Sequence, residues 1–320
     1  MESTGTYWMT PYDALEQANL PISIVNPAHV KRMDGRKTDQ EDARWLSQIA
    51  VNGSFIPSYI PSMEFRHLRM AARNLCKQIE SLSDLKNRET KAFVVAGFRL
   101  NVFSDQFGKL ATLAKNSLLE GKTGEEVVDI LLSQKGSKRL KASKTELLEA
   151  LSGKLTPELK GMIESNRRIY SVFEEEINKN KANLIDTVRQ LEGENFELLQ
   201  TIPGINDLSA AIILIEIGGS KNFLKAFSTG DNFAGWIGLC PGNNSSNNKR
   251  TGRKGRKGNK YLRRILCESA QAASRTKGST LKSKYQSIKI RLWFKRSIVA
   301  IAHKSARLIF FCSTTPQRVH

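Results

Sequence analysis

Leu198–Gly218 reads LLQTIPGINDLSAAIILIEIG, and it divides the chain into two kinds of sequence. Up to Leu199 the apolar residues follow a long helical periodicity; there the pattern breaks into a turn, Pro203-Gly204-Ile205, and resumes as an apolar helix from Leu208 to Ile217. Glycine permits the tight turn, and the free amides opening the second helix can face a backbone phosphate. The segment resembles a helix-hairpin-helix. It equally fits a plain Pro-Gly turn between packed helices, with Asp207 as the cap of the second.

Downstream lies Leu239–Arg264, LCPGNNSSNNKRTGRKGRKGNKYLRR, which sets Ser245 and Ser246 in an Asn/Gly loop that runs straight into Lys and Arg. The 75 residues from Ser246 to the end hold 20 Lys/Arg and one acid, Glu268, whereas residues 1–245 sum to zero, so the net charge of +19 sits in that last stretch. Such a confined excess is the footprint of a polyanion partner, because Lys and Arg release the counterions condensed on phosphates. Nucleic acid is the expected partner. No run approaches the roughly 20 apolar residues of a spanning helix, so no membrane is expected.

The basic residues are spaced for a backbone. Arg253, Lys254, Arg256 and Lys257 alternate with glycines that let the chain follow phosphates closely, and Lys260, Arg263 and Arg264 continue onto a helix. Tyr261, Leu262, Ile265 and Leu266 interleave as apolar anchors, which argues for a docked surface rather than a solvated tail. Either serine of the pair is a candidate nucleophile, and a solvated polar loop is the other reading. A serine attacks phosphate well only where its alkoxide and the phosphate are stabilised by cations, and Lys249 and Arg250 stand close enough in sequence to do so.

Upstream, Leu68, Leu75, Ile79 and Leu82, then Ile163, Ile169, Phe173, Ile177, Leu184 and Val188, recur at helical spacing. Gly121, Gly124, Gly136, Gly153 and Pro157 divide the region into several helices, read as an antiparallel coiled-coil arm. Before it come a helix over Pro11–Asn19, a strand over Pro21–Asn26 and a helix from the capping box Thr38-Asp39-Gln40-Glu41 to Gly53. Asp39 and Asp42 share one helical face and can hold a divalent ion; acids in a first turn also simply favour the helix dipole. Cys76, Cys240, Cys267 and Cys312 lack metal spacing and read as reduced and structural, and the N-terminus lacks a signal peptide. A cytoplasmic protein, nucleoid-associated when bound to DNA, is expected.

The stretches MESTGTYW, ISIVNPAHVKRMDGRKTDQEDARWLS, LLQTIPGINDLSAAIILIEIG, FAGWIGLCPGNNSSNNKRTGRKGRKGNKYLRR and FKRSIVAIAHKSARLIF, in that order, resemble one family of bacterial insertion-sequence transposases. These are RuvC-like DEDD recombinases, similar to pilin-gene-inverting enzymes and including bridge-RNA-guided recombinases. The resemblance implies a mainly α fold with an α/β part: a partial RNase H-like (RuvC-like) domain over 1–63, a helical coiled-coil region over 64–195, and a helix-hairpin-helix-containing C-terminal transposase domain over 196–311. Residues 312–320 form a divergent tail.

It further implies Mg²⁺ held by Glu2, Asp39 and Asp42, a nucleophile at Ser246, and nucleic-acid contacts at Gly204, Lys249, Arg250, Arg253, Lys254, Arg256, Lys257, Lys260, Arg263 and Arg264. The implied partners are DNA, a guide RNA and further copies of the chain, as dimer or tetramer. The family's first Asp, in a Gly-Ile-Asp motif upstream of Met1, has no counterpart, so a truncated chain is expected. The rival expectations are a catalytically inactive nucleic-acid-binding remnant and an architectural DNA-bending protein.

Overall fold

The computed structural model describes residues 1–3, 5–27, 38–221, 223–241, 245–246, 249–250 and 257–314; for Arg139, Leu224, Lys225, Ser245, Ser246, Lys249, Arg250 and Thr314 it describes the backbone alone. The fold is mainly helical. Two compact units divide it, one of residues 1–73 with 183–320 and one of residues 74–182.

The first unit opens with α1 (Met9–Gln17), which starts and stops two residues before the expected Pro11–Asn19 because Asn19 turns left-handed at φ 55°. The expected strand Pro21–Asn26 shrinks to bridging at Val25, which pairs parallel with Glu2 and antiparallel with Pro57. Ser3 N–H donates to the Val25 carbonyl at 3.0 Å, Val25 N–H to Met1 at 2.8 Å and Ser58 N–H to Ile24 at 2.7 Å. Ile24 and Val25 are buried there. α2 (Asp39–Val51) is capped by Thr38, whose hydroxyl accepts the Glu41 amide at 3.4 Å. The Glu41 carboxylate takes the Thr38 hydroxyl instead of its amide, so only half of the expected capping box forms.

The long helices α3 (Met63–Val95) and α7 (Pro157–Glu192) take up the periodic stretches. In the second unit they pack with α4 (Lys109–Leu119), α5 (Gly124–Ser133) and α6 (Lys144–Ala150) around Phe93, Val127, Leu131, Leu147, Leu151 and Ile163. Complete capping boxes at Thr123 and Ser143, each closed by a Glu three residues on, start α5 and α6. Gly124 and Gly153 are required by closeness: a Cβ would lie 2.4 Å from the Leu151 carbonyl and 2.5 Å from the Ala96 carbonyl. Lys115 is buried to 2% exposure and pairs with Glu89 at 3.0 Å, which also takes Arg167 at 2.9 Å.

The C-terminal part of the first unit is built on α8 (Glu194–Gln200), α9 (Asp207–Ile217), α10 (Phe223–Ala226), α11 (Gly230–Ile237), α12 (Lys260–Ala273), α13 (Thr280–Lys289) and α14 (Phe294–Thr314). α9 is buried from Ala210 through Ile217, which is why its sequence is apolar on every face. Its cap is Asn206, whose side-chain Oδ1 accepts the Ser209 amide at 2.9 Å, and not Asp207, which is already helical and accepts from Gln200 at 2.8 Å. Phe223 meets Phe233 at 4.8 Å and Phe310 at 5.4 Å between ring centroids, tying α10, α11 and α14 into one aromatic cluster.

Candidate functional site

The chain from Leu239 to Gly258 leaves the end of α11 and returns to the start of α12, and both of its stems are fastened to the last turn of α11. Gly238 ends α11 in the left-handed conformation, with the Leu239 amide donating to Ala234 at 3.0 Å. On the return, the Asn259 amide donates to the Trp236 carbonyl at 3.2 Å and Arg263 Nη1 donates to the Gly238 carbonyl at 3.0 Å. Gly258 lies so near that a Cβ there would sit 2.4 Å from the Gly238 nitrogen and from the Ile237 carbonyl carbon. The loop is closed at its base.

Asn259 joins this base to a buried charge. Its Oδ1 accepts the amides of Tyr261 at 3.0 Å and Leu262 at 3.2 Å, capping α12, while its Nδ2 donates to Glu216 Oε2 at 2.7 Å. Glu216 is fully buried on α9. Arg73 grips it with both ends of the guanidinium, Nε to Oε1 at 2.8 Å and Nη2 to Oε2 at 2.9 Å, and Arg69 donates to its backbone carbonyl at 2.6 Å. The Arg73 guanidinium also lies 4.8 Å over the Tyr261 ring. Burial pulls the Arg69 guanidinium below its ordinary pKa, and the Glu216 charge pulls it back. A carboxylate costs several kcal/mol to bury, and two arginines with an asparagine supply the charge-assisted bonds that hold it.

Inside the loop, β1 (Ser245–Ser246) and β2 (Lys249–Arg250) pair antiparallel, with Ser246 opposite Lys249 and Ser245 opposite Arg250. Arg253, Lys254 and Arg256 lie outside the described residues. Lys257, Lys260 and Arg264 are exposed, with Arg264 joined to Glu268 at 3.0 Å. Arg263 is half-buried and committed to the loop stem. The anchors expected on α12 are in place, with Leu262, Ile265 and Leu266 buried. Gly204 turns at φ +90°, and a Cβ on it would fall 2.1 Å from the Ser269 carbonyl, so close packing on α12 by itself requires a glycine there.

The acids do not gather. Glu2 sits on the bridge to Val25, while Asp39 and Asp42 are exposed in the first turn of α2. Among the described residues no three His, Cys, Asp or Glu side chains group for a metal ion. Glu2, Asp39 and Asp42 therefore do not by themselves fit a two-metal centre, which needs acids converging on one point. None of the four cysteines is joined in a disulfide, and burial pushes the Cys267 and Cys312 thiols up, away from thiolate chemistry. No helix of the described residues is long and apolar enough to cross a membrane.

Sequence reasoning missed Glu216, Asn259, Arg69 and Arg73. One signal was available: Glu216 is the single charge within the apolar run Leu208–Ile217, and such a residue needs a partner.

Comparison with known proteins matches both ends of the chain. A family model described as "Transposase IS116/IS110/IS902 family" matches residues 196–286, and a DEDD-type IS110 model described as "Transposase" matches residues 1–95. A probable family 20 transposase of Pseudomonas aeruginosa PAO1 is 23% identical over 317 residues, spanning 97% of this chain and 82% of its own length.

Proposed function

The chain belongs to the IS116/IS110/IS902 transposase family, and from that premise we propose that it cuts and rejoins DNA through a serine nucleophile, Ser246. The Ser246 Oγ attacks a phosphodiester phosphorus, the bond from phosphorus to the leaving oxygen breaks, and a protein–DNA phosphoserine link results. Attack by another strand's hydroxyl reverses the step and joins new ends. Lys249 and Arg250 neutralise the phosphate; what supports this is the hairpin register, which sets Ser246 opposite Lys249. The observation that carries the reading is the closed loop base, because a nucleophile on a loop works only if its stems are held.

Gly204, Arg253, Lys254, Arg256, Lys257, Lys260, Arg263 and Arg264 belong to the DNA-contacting set in this reading. The family likeness also supports a guide RNA that selects the target, assembly as dimer or tetramer, an RNase H-like character for residues 1–63, a coiled-coil arm within 64–195, a helix-hairpin-helix within 196–311 and work in the cytoplasm. It implies Mg²⁺ as well, but Glu2, Asp39 and Asp42 do not converge, so no step is assigned to a metal.

That divergence favours a second reading, a nucleic-acid-binding member without catalysis. Incubating the chain and Ser246→Ala with supercoiled DNA, Mg²⁺ and the RNA of a flanking element, then resolving protein-linked DNA on a denaturing gel, separates them. The first reading expects an adduct lost in Ser246→Ala with DNA affinity kept. DNA binding with no adduct supports the second, and an adduct surviving Ser246→Ala overturns the serine assignment.

A further inference from the structure

Between α13 and α14 the chain turns a corner over Lys289–Arg296, KIRLWFKR. Its side chains point away from the protein: Ile290 is 87% exposed, Trp293 85% and Phe294 49%. Its backbone, by contrast, is tied down. The amides of Arg291 and Leu292 both donate to the Ile288 carbonyl at 3.0 Å, and the Ser297 amide donates to Trp293 at 3.0 Å. Ser297 is fully buried beneath the corner, with its hydroxyl 3.1 Å from the Leu292 carbonyl and 3.2 Å from that of Trp293. A large indole held out by a fixed turn is a preformed projection.

Its surroundings say what it meets. Lys289, Arg291, Lys295 and Arg296 are all exposed around the apolar tip, and no acid follows Glu268 in the sequence. An apolar tip ringed by cations suits a ligand that offers phosphates at its edge and flat apolar faces within. DNA offers both once a base step opens, and apolar wedges flanked by cations enter duplexes in this way.

We propose that the Ile290–Phe294 corner is a DNA wedge, with Trp293 stacking against or between bases at an opened step while the four cations hold the flanking phosphates. The inference rests on the DNA-acting reading of the chain but not on Ser246. It gives the unit a second contact, set by DNA deformability rather than by base identity.

The test measures binding of the full chain to a 30-base-pair duplex, fully paired or with one bulged base and 2-aminopurine beside the bulge. Trp293→Ala and Ile290→Ala keep every charge and, being exposed, leave thermal unfolding unchanged. Trp293→Ala is expected to weaken binding to the bulged duplex about tenfold and to abolish the 2-aminopurine fluorescence rise, with Trp293→Phe restoring part of both. Replacing the four cations by Gln is expected to weaken binding to both duplexes and flatten the salt dependence.

Bulged-duplex binding by Trp293→Ala as tight as that of the unaltered chain, with the fluorescence rise intact, overturns the wedge. So does a role for Trp293 seen only in self-association by sedimentation, only on vesicles of anionic lipid, or only on single-stranded RNA. If the unaltered chain binds no DNA at all, the DNA-acting reading itself falls. If DNA binds and only the Ser246 adduct is missing, the wedge stands and the nucleophile does not.

Discussion

Glu89, 13% exposed, and Glu216, fully buried, are each paired with two cations, and their surroundings differ in consequence. Glu89 on α3 takes the buried Lys115 at 3.0 Å and Arg167 at 2.9 Å, joining α3, α4 and α7 within the 74–182 unit. Glu216 on α9 takes Arg73 at 2.8 Å and Arg69 at 3.5 Å, and it also accepts from Asn259 at 2.7 Å. The first network joins helix to helix. The second joins helix to the cap of α12, and so to the base of the loop that carries Ser246. Similar ionic chemistry thus serves packing in one unit and the fastening of a loop base in the other.

The largest effect is expected at Glu89→Ala. It leaves Lys115, 2% exposed, without its carboxylate, and removal of one partner from such a buried pair costs about 3–5 kcal/mol. Urea unfolding is expected to show that loss, with DNA affinity unchanged while the protein is folded. A fall in affinity matching the fall in stability would erase the contrast between the two networks.

Gly258→Ala attacks the other side of the comparison. The new Cβ meets backbone at 2.4 Å on both Gly238 and Ile237, so the loop stems must part, at about 1–3 kcal/mol. Here the account expects the reverse pattern, a modest loss in unfolding and a large loss of any Ser246 adduct. The denaturing gel reads it.

Acid sharpens the contrast more gently. Burial pushes the Glu89 carboxyl up, but hydrogen bonds from Arg167 and Lys115 outweigh this and hold it below the ordinary glutamate value. A carboxyl depressed in the folded state contributes its full stability above that ordinary value, about 4.3, and loses it as pH falls further, because the unfolded chain takes up the proton first. Thermal unfolding scanned from pH 6 to 3 is expected to fall below about 4.3, less steeply in Glu89→Gln.

What was legible in the sequence was local. The Pro203-Gly204 turn, the glycine-divided helices and the anchors Leu262, Ile265 and Leu266 follow from periodicity and turn chemistry, and each appears in the structure. The strand Pro21–Asn26 shrank because pairing is decided by partners, and among the described residues Val25 finds single bridges to Glu2 and Pro57. Asp207 gave way to Asn206 as a cap by one residue, which composition cannot resolve. Ser246 was legible as a motif on a basic loop, whereas the clamp beneath it was not: Arg73 and Glu216 are 143 residues apart, and no periodicity links them.

Amide hydrogen exchange at Leu239, Asn259, Tyr261 and Leu262, compared between Glu216→Gln and Glu89→Gln, tests the account most directly. In Glu216→Gln the new carboxamide nitrogen would face a donor of Arg73 or of Asn259, so the clamp loses at least one bond. The account predicts faster exchange at these four amides in Glu216→Gln and unchanged exchange in Glu89→Gln. Equal protection in both variants would contradict it, since the loop base would then stand without its buried carboxylate.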